Sequence, residues 1–413
     1  MESAKIIGAL ARMVRDIGLA EELAQDALVT ALEKWPSTGI PDNPGAWLTA
    51  TAKRRALDLL RRGKMLERKH GEIARELGEL QGLAATNMEA AADDHVGDDV
   101  LRLIFTSCHP VLAPEARVAL TLRLLGGLST DEIARAFLVP EPTIAQRIVR
   151  AKKALTAAHV PFEVPRGDEL TDRLASVLEV LYLIFNEGYS ATAGDDWMRP
   201  TLCEEATRLG RILAELIPRE PEVHGLIALM EIQASRSKAR VGPGGEPILL
   251  LDQNRARWDQ LLIRRGFAAL ERAQRLNLPL GPYVLQGAIA ACHARATTAA
   301  ATDWRAIASL YASLAQISPS PVVDLNRAVA VGMAQGPAAG LVIIDALAEE
   351  GSLKAYHLMP AVRGDLLFKL GRFEEARHEF EIAASMTRNT REQQVLLRRG
   401  VECISRISKV PSA

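Results

Sequence analysis

The 413-residue chain has few aromatics, 4%, only four cysteines, and no long apolar run. Lacking a stretch of about 18 consecutive apolar residues, it is not expected to cross a membrane. Its N-terminus lacks the basic-then-apolar plan of a secretory leader, so export is not expected. Cys108, Cys203, Cys292 and Cys403 lie far apart in sequence. They offer no paired zinc spacing and no disulfide framework, which argues against a stapled secreted domain and for a reduced, cytoplasmic protein. The shortage of aromatics disfavours strands, while the abundance of Ala, Leu and Arg favours helices. An apolar fraction of 48% is ample for packed cores, and the length suits two or three domains.

The formal net charge of −1 hides strong local polarity. Lys53, Arg54, Arg55, Arg61, Arg62, Lys64, Arg68 and Lys69 face only Asp58 and Glu67, a net of +6 over residues 53–69. The stretch from Glu72 to Asp99 carries a net of −7. A nearly neutral chain can still bind nucleic acid through such a basic stripe, because phosphate contacts are local. The acidic stretch repels DNA and belongs to a different surface.

Residues 128–155 carry the pattern of a helix-turn-helix. Ser129 can cap a first helix, with Glu132 three residues on completing a capping box. Ile133 and Phe137 share one face of that helix. Pro140 and Pro142 suit a turn and the first turn of a second helix. Ile144 and Ile148 then recur at helical spacing, while Gln146, Arg147, Arg150, Lys152 and Lys153 fill the other face. A helix seated in a major groove needs an apolar back, polar residues for base edges near its start, and cations further on for phosphates. An ordinary helical hairpin with a solvated basic face would carry the same pattern.

Upstream, Ile6, Ile7, Leu10, Met13, Val14 and Ile17 mark a first helix expected to end near Gly18. Leu23, Ala27, Leu28, Ala31 and Leu32 mark a second that should stop at Trp35-Pro36. A loop rich in Pro and turn formers follows, from Pro36 to Pro44. In the next helix Trp47, Leu48, Thr51, Leu57 and Leu60 can face a core, with Lys53, Arg54, Arg61 and Arg62 turned largely elsewhere.

The segments Ala20–Leu28, Ala46–Leu48 and Ala52–Arg62 resemble the second conserved region of bacterial RNA polymerase sigma factors, closest to the extracytoplasmic-function group. The helix-turn-helix resembles that group's fourth region, in the expected order and at the expected distance. The resemblance covers about residues 2–158 and implies a role for particular residues. Glu21, Glu22, Gln25 and Asp26 match the helix that binds core polymerase. Asn43, Lys53, Arg54, Arg55, Arg61 and Arg62 match the part that holds the unpaired −10 element, where cations suit a single-strand backbone and a loop can form a pocket for a splayed base. Trp47 suits a core anchor there. Glu141, Thr143, Gln146, Arg147, Arg150 and Lys153 match the reader of the −35 element. The acidic linker would lie in a positively charged channel of the polymerase. One departure is that few aromatics flank the −10 helix.

The chain continues for about 250 residues beyond that match. Residues 160–167 read as a linker. The run Leu370-Gly371-Arg372-Phe373-Glu374-Glu375-Ala376, with Phe380, Ala383 and an upstream Gly364, has tetratricopeptide-like spacing: small residues where paired helices approach, aromatics in the gaps. A degenerate copy sits 35 residues earlier, with Gly336 for Gly371, Ala348 for Ala383, and Asp345 where Phe380 would be. Residues 170–300 read less clearly as helical pairs. Asn186–Tyr189 and Leu251–Asp259 match recurring segments of a sigma subgroup with such an extension, although Asn254 stands where Asp is usual. They suit a groove or an interface, or equally helix caps and surface turns. Gly242-Pro243-Gly244-Gly245 follows no strand and lacks a Lys-Ser/Thr, so it reads as a turn. Asn186-Glu187, Cys108-His109 and Cys292-His293 have neither ligand spacing nor a nucleophile motif, so no catalytic residue, metal or cofactor is expected.

The expectation is an all-α protein of two small helical sigma domains, the second with the helix-turn-helix, and a C-terminal helical-repeat domain. Its divisions would be a region 2 domain at 1–66, an acidic linker at 67–99, a region 4 domain at 100–158, a linker at 159–169, and an extension at 170–413 with repeats clearest at 322–388. Its partners would be core RNA polymerase and promoter DNA, with a regulatory protein or an intramolecular contact engaging the repeats. The competing reading is a conventional helix-turn-helix regulator with a repeat-based sensor. That reading leaves the segment from Trp47 to Arg62 unexplained.

Overall fold

The computed structural model describes residues 2–75, 96–137, 139–243 and 245–408. They form helices almost throughout and fall into two compact units, residues 1–180 and 181–413. Most of the acidic linker expected at 67–99, and Gly244 of the glycine-rich turn, lie outside the described residues.

In the first unit, α1 (Glu2–Val14) buries Ile6, Ile7 and Leu10 and packs on α2 (Ile17–Thr38), α3 (Pro44–Arg75) and α4 (Val96–Ser107). The α1–α2 break falls at Arg15 and Asp16, earlier than the Gly18 expected. Arg15 takes a left-handed φ of 54°, and the Asp16 Oδ1 accepts the Leu19 N–H at 2.8 Å, so a side-chain cap rather than a glycine makes the break. Gly18 lies inside α2. That helix also runs through Pro36 to Thr38 instead of stopping at Trp35, because a proline in a last turn forfeits little of the ladder. Gly39, at φ 82°, then donates its N–H to the Trp35 carbonyl at 2.9 Å.

The buried stripe of α3 is Leu48, Ala52 and Ala56. Leu57 and Leu60, expected in the core, are exposed. At 100° per residue Leu57 falls on the side opposite Leu48, and the i, i+4, i+8 stripe leaves it outside. Asp99, expected at the end of an acidic tether, is instead a buried member of α4, paired with Arg102 at 2.6 Å and Arg12 at 3.4 Å. The unit continues with α5 (Pro114–Leu124), α6 (Thr130–Phe137), α7 (Glu141–Ala157) and the first half of α8 (Asp168–Tyr189).

In the second unit the helices follow as α9 (Pro200–Leu216), α10 (Pro221–Ala234), α11 (Gln260–Arg275), α12 (Pro282–Arg295), α13 (Trp304–Ile317), α14 (Pro321–Gln335), α15 (Pro337–Glu350), α16 (Leu358–Lys369), α17 (Phe373–Met386) and α18 (Thr390–Ile407). Proline opens five of them, where its missing N–H costs nothing. Each packs on its neighbours in sequence, and α10 also on α12, as a stack of helical pairs requires. The repeat at α16–α17 has the expected build. A Cβ at Gly364 would stand 3.0 Å from the Phe380 ring, and Gly371 turns the chain at φ 78°. In the degenerate copy Gly336 turns at φ 106°, and Asp345 reaches Arg363 of α16 at 2.9 Å instead of filling a gap.

Between α10 and α11 the repeat pattern is interrupted. Val241 and Pro247 bridge antiparallel around the glycine-rich turn, and Gly242 donates its N–H to the Glu246 carbonyl at 2.8 Å. Asn254 caps a short 3-10 turn at residues 255–257, and Asp259 caps α11 through the N–H groups of Leu261 and Leu262. The Leu251–Asp259 segment thus supplies caps. The two ends of the unit are stitched by a parallel pairing of β1 (Ala193–Gly194) with β2 (Arg388–Asn389). The buried Asn389 amide donates to the carbonyls of Ala191 at 3.1 Å and Asp196 at 2.9 Å.

His293 of α12 is buried edge-on to Trp304 at 5.2 Å, and burial with the nearby Arg236 and Arg255 pushes its pKa down to about 4. The folded chain therefore binds fewer protons than the unfolded chain between pH 6.5 and 4, and stability falls as pH drops through that window. The loss should be about 2 kcal/mol between pH 7 and 5. Urea melts at the two pH values check it, with His293→Asn removing this residue's share of the dependence and leaving that of His109, whose pKa is also pushed down to about 4.

Candidate nucleic-acid and docking surfaces

The α6–α7 pair is built by local bonds. The Glu132 N–H donates to Ser129 Oγ at 3.1 Å, and the Ser129 N–H donates to Glu132 Oε2 at 2.7 Å, closing the capping box. These bonds hold the Glu132 carboxyl below the usual carboxylate range. On α7, Ile144, Ile148, Ala151 and Leu155 are buried. Glu141, Gln146, Arg150 and Lys153 are exposed, and Thr143 and Arg147 half-buried, so all six expected −35 residues keep some access to solvent. Arg147, Arg150 and Lys153 have no ion-pair partner among the described residues. A row of unpaired cations over an apolar back leaves the charge free for phosphates.

On α3, Arg54, Arg61 and Arg62 are exposed and Lys53 is half-buried. Arg61 lies 4.0 Å from Asp58. Arg55 turns inward instead, 2.9 Å from Asp26 and donating to Thr30 Oγ1 at 2.8 Å. It ties α3 to α2 and joins two residues assigned to different surfaces. Asn43 caps α3, its Oδ1 accepting the Ala46 N–H at 3.0 Å. Trp47 is half-buried, edge-on to Trp35 at 5.5 Å, and so braces the loop between α2 and α3.

On α2, Glu22, Gln25 and Asp26 are exposed, whereas Glu21 is buried. Beside the exposed three stand Leu28, 41% exposed, Val29, and Leu32, 75% exposed. Leu28 and Leu32, grouped by sequence with the helix's apolar residues, point outward. The signal was present: apolar residues from Leu23 to Leu32 outnumber what one face can hold. An exposed apolar row rimmed by polar residues marks a docking surface.

Residues 3–65 match the family model for sigma-70 region 2, and residues 102–155 match that for sigma-70 region 4. Over 37% of this chain and 78% of its own length, the ECF RNA polymerase sigma factor SigK of Mycobacterium ulcerans is 28% identical. The chain belongs to the extracytoplasmic-function group of sigma-70 factors. Sigma factors direct transcription initiation and are not enzymes. The probable ECF sigma factor SigI of Mycobacterium tuberculosis is 29% identical over 37% of this sigma factor and 51% of its own length. An uncharacterized protein of Rhizobium meliloti is 43% identical over 94% of the chain and 90% of its own, so the two share the extension as well. Residues 173–274 match a family of unknown function, DUF6596. Among solved structures, yeast Tom70 aligns over 98% of this chain and 83% of its own at 11% identity, with a TM-score of 0.38, a likeness too low to place the fold.

Within the first unit of this sigma factor, Glu21 joins the region 2 and region 4 helices. Its Oε1 accepts from Arg123 Nε of α5 at 2.7 Å, its other oxygen lies against the Lys152 ammonium of α7, and Gln25 donates to Oε1 at 2.7 Å. Nearby, Thr156 of α7 donates to Asp16 Oδ2 at 3.2 Å. One buried carboxylate therefore holds two basic side chains from the region 4 helices. Arg123→Ala should destabilise the first unit by about 2 kcal/mol, the worth of a charge-assisted bond to a buried carboxylate. Denaturant unfolding measures it, and an unchanged midpoint would show that the latch contributes nothing.

The Cys108 thiol is buried against Thr121 Oγ1 at 3.3 Å, and burial raises its pKa. Burial pushes the Cys203 thiol up to about 12. His109 is pushed down to about 4 by burial and by Arg173. Among the described residues no group of three His, Cys, Asp or Glu is placed to hold a metal ion.

Proposed function

We propose that this sigma factor docks core polymerase through the outer face of α2, places the −10 strand on α3, and reads the −35 duplex with α7, in the cytoplasm. The observation that carries the reading is the row of cations Arg147, Arg150 and Lys153, without an ion-pair partner among the described residues, on a helix whose other face is buried. Glu22, Gln25 and Asp26 are open to the polymerase, together with Leu28 and Leu32. Glu21 reaches it only when Arg123 and Lys152 let go, so engagement requires the two sigma regions to separate. Two moderate DNA contacts on one chain then reinforce each other through effective concentration. The C-terminal helical unit sets how readily this happens, by contact with the sigma regions, with polymerase, or with a signalling protein.

Run-off transcription with purified core polymerase and a genomic promoter pool tests the reading, comparing the full chain with residues 1–180. Specific transcripts support it. Higher activity in the fragment means that the extension masks, and lower activity that it supports; equal activity removes the regulatory role. Duplex binding without polymerase and no transcript from either form would favour the conventional regulator.

A further inference from the structure

The second unit gathers arginines without counter-charge. Arg236 lies just after α10, Arg240 on the turn that follows, and Arg255 on the 3-10 turn before α11. No carboxylate among the described residues pairs with any of the three, whereas nearby Glu187 is spent on Arg199. Arg240 is stacked over the Tyr189 ring at 3.6 Å and donates to the Tyr189 carbonyl. Arg236 donates to the Tyr189 hydroxyl. Arg255 donates to the carbonyls of His293 at 2.6 Å and Ala296 at 2.8 Å, and to Thr302 Oγ1 at 2.8 Å.

Trp258 stands between two of these cations, with the Arg236 guanidinium 5.7 Å and the Arg255 guanidinium 5.1 Å from its ring centre. Trp258 is 3% exposed, and Arg255 and His293 are 8%. Four nitrogens around this point are shut from water and meet no hydrogen-bond partner: Nε of Arg236, Nε of Arg255, Nε1 of Trp258 and Nδ1 of His293. The first three can only donate, and the fourth donates in one neutral tautomer. Buried donors are rarely left unpaired without a reason, and the buried Arg255 with the partly buried Arg236 beside it attracts negative charge. Mutual repulsion is visible in the lowered pKa of Arg240, Arg255 and His293, where burial acts first and Arg236 adds to it.

We propose that Arg236, Arg255, Trp258 and His293 form a binding site for a dianionic phosphate group, entered from the side of the half-exposed Arg236. A dianion balances two guanidinium charges where a monoanion would leave one over. Several oxygens on one centre suit donors supplied by separate elements that meet around Trp258. The enclosure suits a small ligand, inorganic phosphate or the terminal phosphate of a small ester, rather than a peptide chain. The recurring segments flagged at Asn186–Tyr189 and Leu251–Asp259 supply Tyr189, Arg255 and Trp258, which gives their polar density a purpose beyond capping.

Isothermal titration calorimetry on the full chain at pH 7 and fixed ionic strength tests the site, with inorganic phosphate and adenosine monophosphate as separate probes and chloride as control. Saturable one-to-one binding of either phosphate probe, weakened at least about tenfold by Arg236→Gln and unchanged by Lys238→Gln on the adjoining turn, is expected. Tighter binding of the nucleotide would identify an ester as the source, and equal binding free phosphate. Trp258→Phe, which removes only the indole N–H, stands in should Arg236→Gln not fold, and should weaken binding about threefold or more. No saturable heat from either probe in the unaltered chain overturns the proposal. So does binding that Lys238→Gln weakens as much as Arg236→Gln.

Discussion

Leu32→Asp should abolish assembly with core RNA polymerase and leave the fold unchanged. Leu32 is the most exposed large apolar residue of the described chain, at 75%, so folding asks nothing of it. An aspartate on an exposed helical surface changes stability by about 0.5 kcal/mol. At the centre of a docking face the same change forces a charge into a desolvated pocket. Such positions cost about 3 kcal/mol or more, a hundredfold or greater loss of affinity. Anisotropy of labelled sigma factor titrated with core polymerase measures the loss, and a urea melt of the same protein guards against misfolding. Affinity within twofold of the unaltered chain would move the docking face away from α2.

A fragment ending at Ala158 should be less stable than one ending at Val180 by about 4 kcal/mol or more, a large part of a small domain's stability. The sequence places region 4 at 100–158 and a linker after it, yet the first half of α8 is bound to the region 4 helices. Arg173 Nη2 donates to the Phe105 carbonyl at 2.8 Å, Ser176 Oγ donates to the Cys108 carbonyl at 2.6 Å, and Arg117 pairs with Glu179 at 3.0 Å. Arg117 also donates to Ser176 Oγ, and both arginines are buried. Removing α8 withdraws these bonds together and uncovers the polar ends of α4 and α5. Denaturant unfolding of the two fragments decides the matter, and equal midpoints would show α8 to be dispensable. The consequence is practical. A transcription assay on residues 1–158 would confuse a damaged region 4 with a released or missing regulator, so the extension is best removed after Val180.

Much was legible before any coordinates. The capping box at Ser129 and Glu132, the buried Ile144 and Ile148, and the Gly364–Phe380 contact are local patterns read at helical spacing, and they fold as read. Other features depend on contacts that local spacing does not reveal. Arg15 and Asp16 break a helix where Gly18 looked the natural punctuation, because a side-chain cap outweighs a glycine that fits a helix at modest cost. Leu57 faces solvent because it lies across the helix from Leu48, whose stripe with Ala52 and Ala56 makes the contact face; Leu60, one turn further along that stripe, is exposed all the same. Arg55 and Asp26 looked like two binding residues and are also each other's partner. Asp99 looked like a tether charge and is a buried ion pair.

The sequence alone determined the all-helical class, the two sigma motifs in their order, the exposed polar face of α7, and the repeat at α16–α17. The faces and caps follow from spacings of three to eight residues, which the period of a helix converts directly; the sigma motifs follow from resemblance to a known family, and the repeat from its longer period. Only the tertiary structure decided that Glu21 is a latch for Arg123 and Lys152, that α8 completes region 4, and that Arg236, Arg255, Trp258 and His293 share one enclosed point. Each of these joins residues tens to more than a hundred positions apart. A charge or an apolar side chain carries no mark of which distant partner it will meet, and that choice is made when whole helical faces pack against one another.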